Sequence, residues 1–211
     1  MTPRVRRPRV GAAALFGAAL VLAAAGARAQ TVLTVTLLGD PSDSRVPAVS
    51  EAVRFWNAEL DRIGAGVRLA APRFHDDAAA QRLLSRLASG DVGASDTRPL
   101  HALLAPIPGD VVVALPAGDI MSFGVERGRR GKGFVALRRA DVPPLSLSNV
   151  ARNAAAHELG HALGLEHNGD PSTLMCGRPA SCRPDAFASA TPRFFPLTPE
   201  EEDELRSIWP R

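Results

Sequence analysis

The run HELGHALGLEH, residues 157–167, gathers three histidines and a glutamate at spacings that a helix can turn into a metal site. His157 and His161 are four residues apart, so on a helix they stand one turn from each other with azimuths about 40° apart. Two imidazoles so placed can reach one ion. Glu158 lies about 60° from His161 around the axis and can flank that ion without ligating it. A third ligand on the same helix face would crowd the open position. Gly164 removes the difficulty, because glycine at a helix C-terminus accepts the left-handed conformation and turns the chain sharply. His167 can then approach from another direction. Three neutral imidazoles and one vacant position describe a catalytic Zn2+ site rather than a closed structural one. Zinc in such a site brings the pKa of bound water to about 7 and polarises a carbonyl oxygen. Glu158 would take a proton from the attacking water and pass it to the departing amine. The pattern HExxHxxGxxH fixes five positions, and its accidental occurrence in a chain this long is on the order of one in 10⁵.

The elements that must hold these residues can be read outward from them. SNVARNAAAHELGHAL predicts a helix that Ser148 or Asn149 can cap and Gly164 ends. TVLTVTLL, residues 31–38, alternates β-branched and apolar residues and reads as a first strand. Val49, Val53, Trp56 and Leu60 recur at helical spacing and end at Gly64 or Gly66. VRLAAP, from Val67, reads as a second strand, so strand, helix and strand predict a parallel βαβ unit. Residues 72–109 carry weaker signals: His75-Asp76-Asp77 reads as the start of a surface helix, and the rest as loop. VVVALP, residues 111–116, predicts a buried strand. MSFGVER and GFVALRRA flank GRRGKG and predict an antiparallel hairpin whose basic turn is solvated. Thr198, Pro199 and Glu201 form a capping-box signature for a closing helix that docks through Leu205, Ile208 and Trp209.

Composition sets the surroundings. The chain has 211 residues, enough for one domain with a real core. Residues 1–29 read as a secretory signal peptide: an arginine-rich start, an apolar run too short for a comfortable membrane span, and Ala27-Arg28-Ala29 as a cleavage pattern. That segment holds five arginines and no acidic residue, so its removal takes the net charge from +3 to −2. The high pI therefore belongs largely to the targeting segment and gives no support to nucleic-acid binding. Residues 30–211 are expected to form a single domain, a monomer with no stable membrane association, in a secreted or periplasmic location. Export meets an oxidising compartment, so Cys176 and Cys182 are expected to pair rather than stay free. Closing so short a loop stabilises by about 2–2.5 kcal/mol in the chain-entropy model.

His157, Glu158, His161, Gly164 and His167 together resemble the extended zinc-binding signature of the metzincin metalloendopeptidases. Met175, in STLMCG, stands where that family has its Met-turn, and its distance from His167 is similar to the matrixin branch. SNVARNAAAHELGHALGLEH resembles a matrixin active-site helix, and LTPEEEDELRSIW resembles the closing helix. The resemblance implies an α+β domain: a twisted mixed sheet of about five strands with three main helices. It implies a methionine packed beneath the metal histidines, and an antiparallel edge strand above the cleft, for which MSFGVER is the candidate. An extended substrate would pair with that edge by β-augmentation. It also implies that the segment after Met175, braced by the cysteines, walls the specificity pocket.

The departures are specific. Matrixins usually carry a second, structural zinc on a histidine-rich loop, whereas only His75 and His101 lie outside the signature here. No calcium loop is evident, which leaves Ca2+ unsupported. The chain has no tyrosine, unlike astacins and serralysins, and no cysteine upstream of the site to act as a latency switch. CRPD, residues 182–185, resembles the inhibitory cysteine motif but lies downstream of the site. The expected function is that of an exported zinc endopeptidase acting on proteins or peptides. Its alternative is an exported non-catalytic zinc-binding protein that retains the scaffold.

Overall fold

Every residue of the strand Val111–Ala114 is buried, which requires cover on both faces of the sheet that contains it. The computed structural model describes residues 30–127, 131–177 and 191–211. Residues 1–29 and Cys182 therefore lie outside the described residues, as does part of the basic turn. In chain order the elements are β1 (Thr31–Leu33), β2 (Val35–Leu38), α1 (Val46–Ile63), β3 (Val67–Leu69), β4 (Arg73–Phe74), α2 (Ala78–Ala88), α3 (Leu100–Leu104), β5 (Val111–Ala114), β6 (Phe123–Val125), β7 (Gly133–Ala136), α4 (Ser148–Leu163) and α5 (Pro199–Ile208). A five-stranded mixed sheet has the order β4-β2-β5-β7-β6, parallel except for β6, which runs antiparallel to β7 at one edge.

The two faces of the sheet divide the core. Val111 and Val113 of β5 pack with Trp56 and Leu60 of α1 and with Ala155, Leu159 and Leu163 of α4. Val112 and Ala114 pack instead with Leu83 and Leu87 of α2 and Leu100 and Leu104 of α3. Around the expected five-stranded mixed sheet, the described residues hold two helices beyond the three main ones expected. The physical reason is the second face: residues expected to be surface helix and loop supply the apolar layer that covers it. Asp77 does start α2, as its side chain accepts from the N–H groups of Ala79 and Ala80 at 2.9 and 2.8 Å.

The single strand expected over residues 31–38 divides at Thr34. The Thr34 N–H and hydroxyl both donate to Asp110 Oδ2, at 2.9 and 2.7 Å, and the backbone leaves the ladder there. β1 then pairs with β3 in parallel, completing the expected strand–helix–strand unit, while β2 joins the main sheet. α1 ends on left-handed Gly64. The Trp56 indole N–H donates to the Ala156 carbonyl at 2.8 Å and ties α1 to α4 through the core. No helix among the described residues is long and apolar enough to cross a membrane.

The start of α4 differs from expectation. Its N-cap is Leu147, with no side-chain cap, so Ser148 and Asn149 lie inside the first turn. α5 keeps its expected capping box: Thr198 Oγ1 accepts from Glu201 N–H at 3.1 Å, and Glu201 Oε2 accepts from Thr198 N–H at 2.8 Å. Thr198→Ala is expected to cost about 1 kcal/mol, the ordinary value of such a cap, read as a lowered denaturant midpoint at unchanged slope.

Candidate metal centre

α4 is buried on nearly every side, with Ala155, Ala156, Leu159, Ala162 and Leu163 in the core. This central placement fixes the rings that leave its open side. The Nδ1 of His157 lies 2.8 Å from the Leu174 carbonyl, and the Nδ1 of His161 lies 2.7 Å from the Leu165 carbonyl. A carbonyl only accepts, so each Nδ1 carries the hydrogen and each Nε2 presents a bare lone pair. Gly164, at φ 110°, ends the helix and turns the chain through Leu165 and Glu166 to His167. The Nε2 of His167 then lies 3.1 Å from that of His157 and 3.0 Å from that of His161. One ligand atom from each histidine falls within 4.8 Å of the others.

This donor set fits a small divalent cation. Zn–N bonds of about 2.0–2.1 Å in a tetrahedron place two nitrogens about 3.3 Å apart, close to the observed approach. Two lone pairs already aimed at one point, with their rings fixed from behind by carbonyls, are the arrangement that favours an imidazole-ligated metal. Burial lowers the pKa of His161, which also favours the neutral, ligating form.

Glu158 sits beside this cluster and is only 8% exposed. Burial pushes its carboxyl up to about 8, while a hydrogen bond from the Gly124 N–H acts in the other direction. Gly124 belongs to β6, the antiparallel edge strand expected from MSFGVER. β6 approaches α4 so closely that a Cβ on Gly124 would stand 2.5 Å from the Glu158 carbonyl oxygen and 2.7 Å from His161 Cβ. The edge of the sheet thus lies directly against the turn that carries Glu158 and His161.

Met175 is fully buried beneath the same helix. The sulfur fills the space a Cβ would occupy on Gly160, and Trp56 closes the other side. Its neighbour Leu174 joins two parts of the site: the Leu174 carbonyl faces His157, and the Leu174 N–H donates to the Pro196 carbonyl at 2.8 Å. Asn149 and Asn153 of α4 hold the chain just upstream of Pro196. The Asn149 amide donates to the Thr191 carbonyl at 2.9 Å, and Asn153 Oδ1 accepts from the Phe195 N–H at 2.9 Å. Cys176 is buried, and among the described residues no cysteine is free.

The structure therefore brings His157, Glu158, His161, His167, Gly164 and Met175 to one place. Neither of the other histidines joins them: His75 lies 3.2 Å from Asp77 at the start of α2, and His101 is exposed on α3. Sequence reasoning missed Gly124, Leu174, Asn149 and Asn153. For the two asparagines a signal exists, a polar pair at i and i+4 on an otherwise alanine-rich helix. For Gly124 and Leu174 there is none short of the packed fold.

No protein-family model matches this chain, and no curated protein matches it. Among solved structures, it is similar to archaemetzincin from Methanopyrus kandleri, with a TM-score of 0.49 and 18% identity over 85% of this chain and 96% of that one. It is also similar to myroilysin, with a TM-score of 0.42 and 12% identity over 86% of this chain and 84% of that one. What the centre can do is decided by its own side chains.

Proposed function

We propose that this chain is a zinc-dependent endopeptidase of metzincin type with a matrixin-like active-site helix, exported through residues 1–29. The observation that carries the reading is the convergence of three imidazole Nε2 atoms beside a buried carboxyl, under the edge strand of a sheet. His157, His161 and His167 would hold the ion. When bound, zinc supplies Lewis acidity, which sharpens the acidity of a water and polarises a carbonyl oxygen.

The chain's own groups do the rest. β6 offers backbone groups to an extended peptide and lays it along the cleft as one further strand. Glu158, held by the Gly124 N–H, removes a proton from the water that attacks the scissile carbonyl. It then returns that proton to the amine nitrogen as the peptide bond breaks. The Leu174 and Leu165 carbonyls keep two imidazoles oriented throughout. In this reading Cys176 pairs with Cys182 and braces the chain after Met175, on the substrate-facing side. The protein works in a secreted or periplasmic compartment, as a monomer.

Purified mature protein should carry one equivalent of zinc and cleave a mixed peptide library. Removing the metal with a chelator should stop cleavage, and one equivalent of zinc should restore it. Cleavage indifferent to chelation would overturn the proposal. Zinc bound tightly with no cleavage of any peptide would instead support the non-catalytic zinc-binding protein.

A further inference from the structure

Two of the three histidines are steered through their own rings. His157 and His161 each hold a backbone carbonyl with Nδ1. Among the described residues no hydrogen bond holds the Nδ1 of His167, the most exposed of the three. Its position must come from the backbone on either side. The next residue, Asn168, supplies it: the Asn168 N–H donates to the Met175 carbonyl at 2.9 Å, and the Gly177 N–H donates to the Asn168 carbonyl at 3.0 Å. These bonds form an isolated parallel bridge between Asn168 and Cys176. The His167 ring rests against Gly177, where a Cβ would come within 2.9 Å of the His167 Cβ and Cγ.

The Asn168 side chain extends the support to a distant element. Its Oδ1 accepts from the Asp170 N–H at 2.8 Å, which closes the turn after His167. Its Nδ2 donates to Thr173 Oγ1 at 2.8 Å and to Glu201 Oε1. Glu201 is buried, and its other carboxylate oxygen accepts from the Thr198 N–H at 2.8 Å. One carboxylate therefore caps the start of α5 and anchors the loop that carries His167. An amide suits the position: Glu201 needs a donor, and an aspartate at residue 168 would set carboxylate against carboxylate.

We propose that Asn168 and Glu201 are positioning residues for His167, and that α5 sets the metal affinity of the centre through them. The inference rests on the zinc reading above. Neither residue belongs to the three-histidine group, so the effect is on how well the third imidazole is placed.

The test is zinc affinity by competition with a chromogenic chelator, on the mature protein and on five variants. Asn168→Ala and Glu201→Ala should each weaken zinc about 10–100-fold, the usual cost of losing the partner behind a ligand. The double variant should be little worse than either single one, because both break the same link. Glu201→Gln keeps an acceptor oxygen and should stay near the parent. Thr198→Ala removes the helix cap but leaves the Glu201–Asn168 bond, so it should lower stability while zinc affinity holds. Cobalt substituted for zinc adds a spectroscopic check, since its visible bands should shift in Asn168→Ala and not in Thr198→Ala. Parent-like affinity in both alanine variants at 168 and 201 would overturn the proposal, as would equal weakening by Thr198→Ala. A parent protein that binds no zinc would show instead that the zinc reading itself has failed.

Discussion

Glu158→Gln is expected to keep one equivalent of zinc and to lower the turnover of a cleaved peptide by about 10²–10⁴-fold, the usual contribution of a positioned acid–base group. Glutamine preserves the volume of the side chain, and its amide oxygen can still accept the Gly124 N–H. It cannot carry the proton. The Michaelis constant should therefore change little, because in the proposed mechanism the peptide is held by β6 rather than by Glu158. Glu158→Ala should lose at least as much turnover. Steady-state kinetics on one peptide taken from the library would separate these terms. Turnover of Glu158→Gln within tenfold of the parent would assign the proton transfer to some other group.

His161→Ala should all but abolish zinc binding, a larger effect than the roughly 10–100-fold expected for losing a hydrogen-bond partner behind a ligand. A two-imidazole remnant lacks the third donor that catalytic zinc sites use. The consequence can be read without any substrate. A protein that binds zinc only when folded gains about 4 kcal/mol at a thousandfold excess over the dissociation constant, and its melting temperature rises accordingly. The parent should show that rise and His161→Ala should not, at the same zinc concentration. His101→Ala serves as control, since His101 is exposed on α3 and far in sequence from the cluster. A zinc-dependent rise retained in His161→Ala would remove His161 from the ligand set.

What could be read from the sequence follows from how far apart the deciding residues lie. His157, Glu158, His161 and Gly164 belong to one helix and its cap, so spacing becomes geometry almost directly. The capping box of α5 and the Asp77 cap of α2 are equally local, and both form as the residue types suggest. The break at Thr34 depends on Asp110, which is 76 residues away, and no local pattern announces it. The role of α2 shows a subtler limit. Its apolar periodicity is plain, but whether it faces solvent or a sheet is decided elsewhere, by the unbroken apolar run of β5. The third-histidine loop depends on Glu201, 33 residues from Asn168. In the sequence Glu201 is only a helix cap; packing gives the same carboxylate a second partner.

That second partner has a consequence for the order in which the centre matures. A polypeptide is made from its N-terminus, and Glu201 and Trp209 come after every residue of the histidine cluster. Trp209 closes over the end of α4 with its indole N–H on the Leu163 carbonyl at 3.0 Å, and its own carbonyl accepts from the Gly66 N–H at 2.7 Å. A nascent chain that has reached Phe195 already owns all three imidazoles and the glutamate, yet has neither the latch nor the lid of the helix that carries them. The residues that brace the centre, Glu201 and Trp209, thus follow in the chain all of those that would hold the metal.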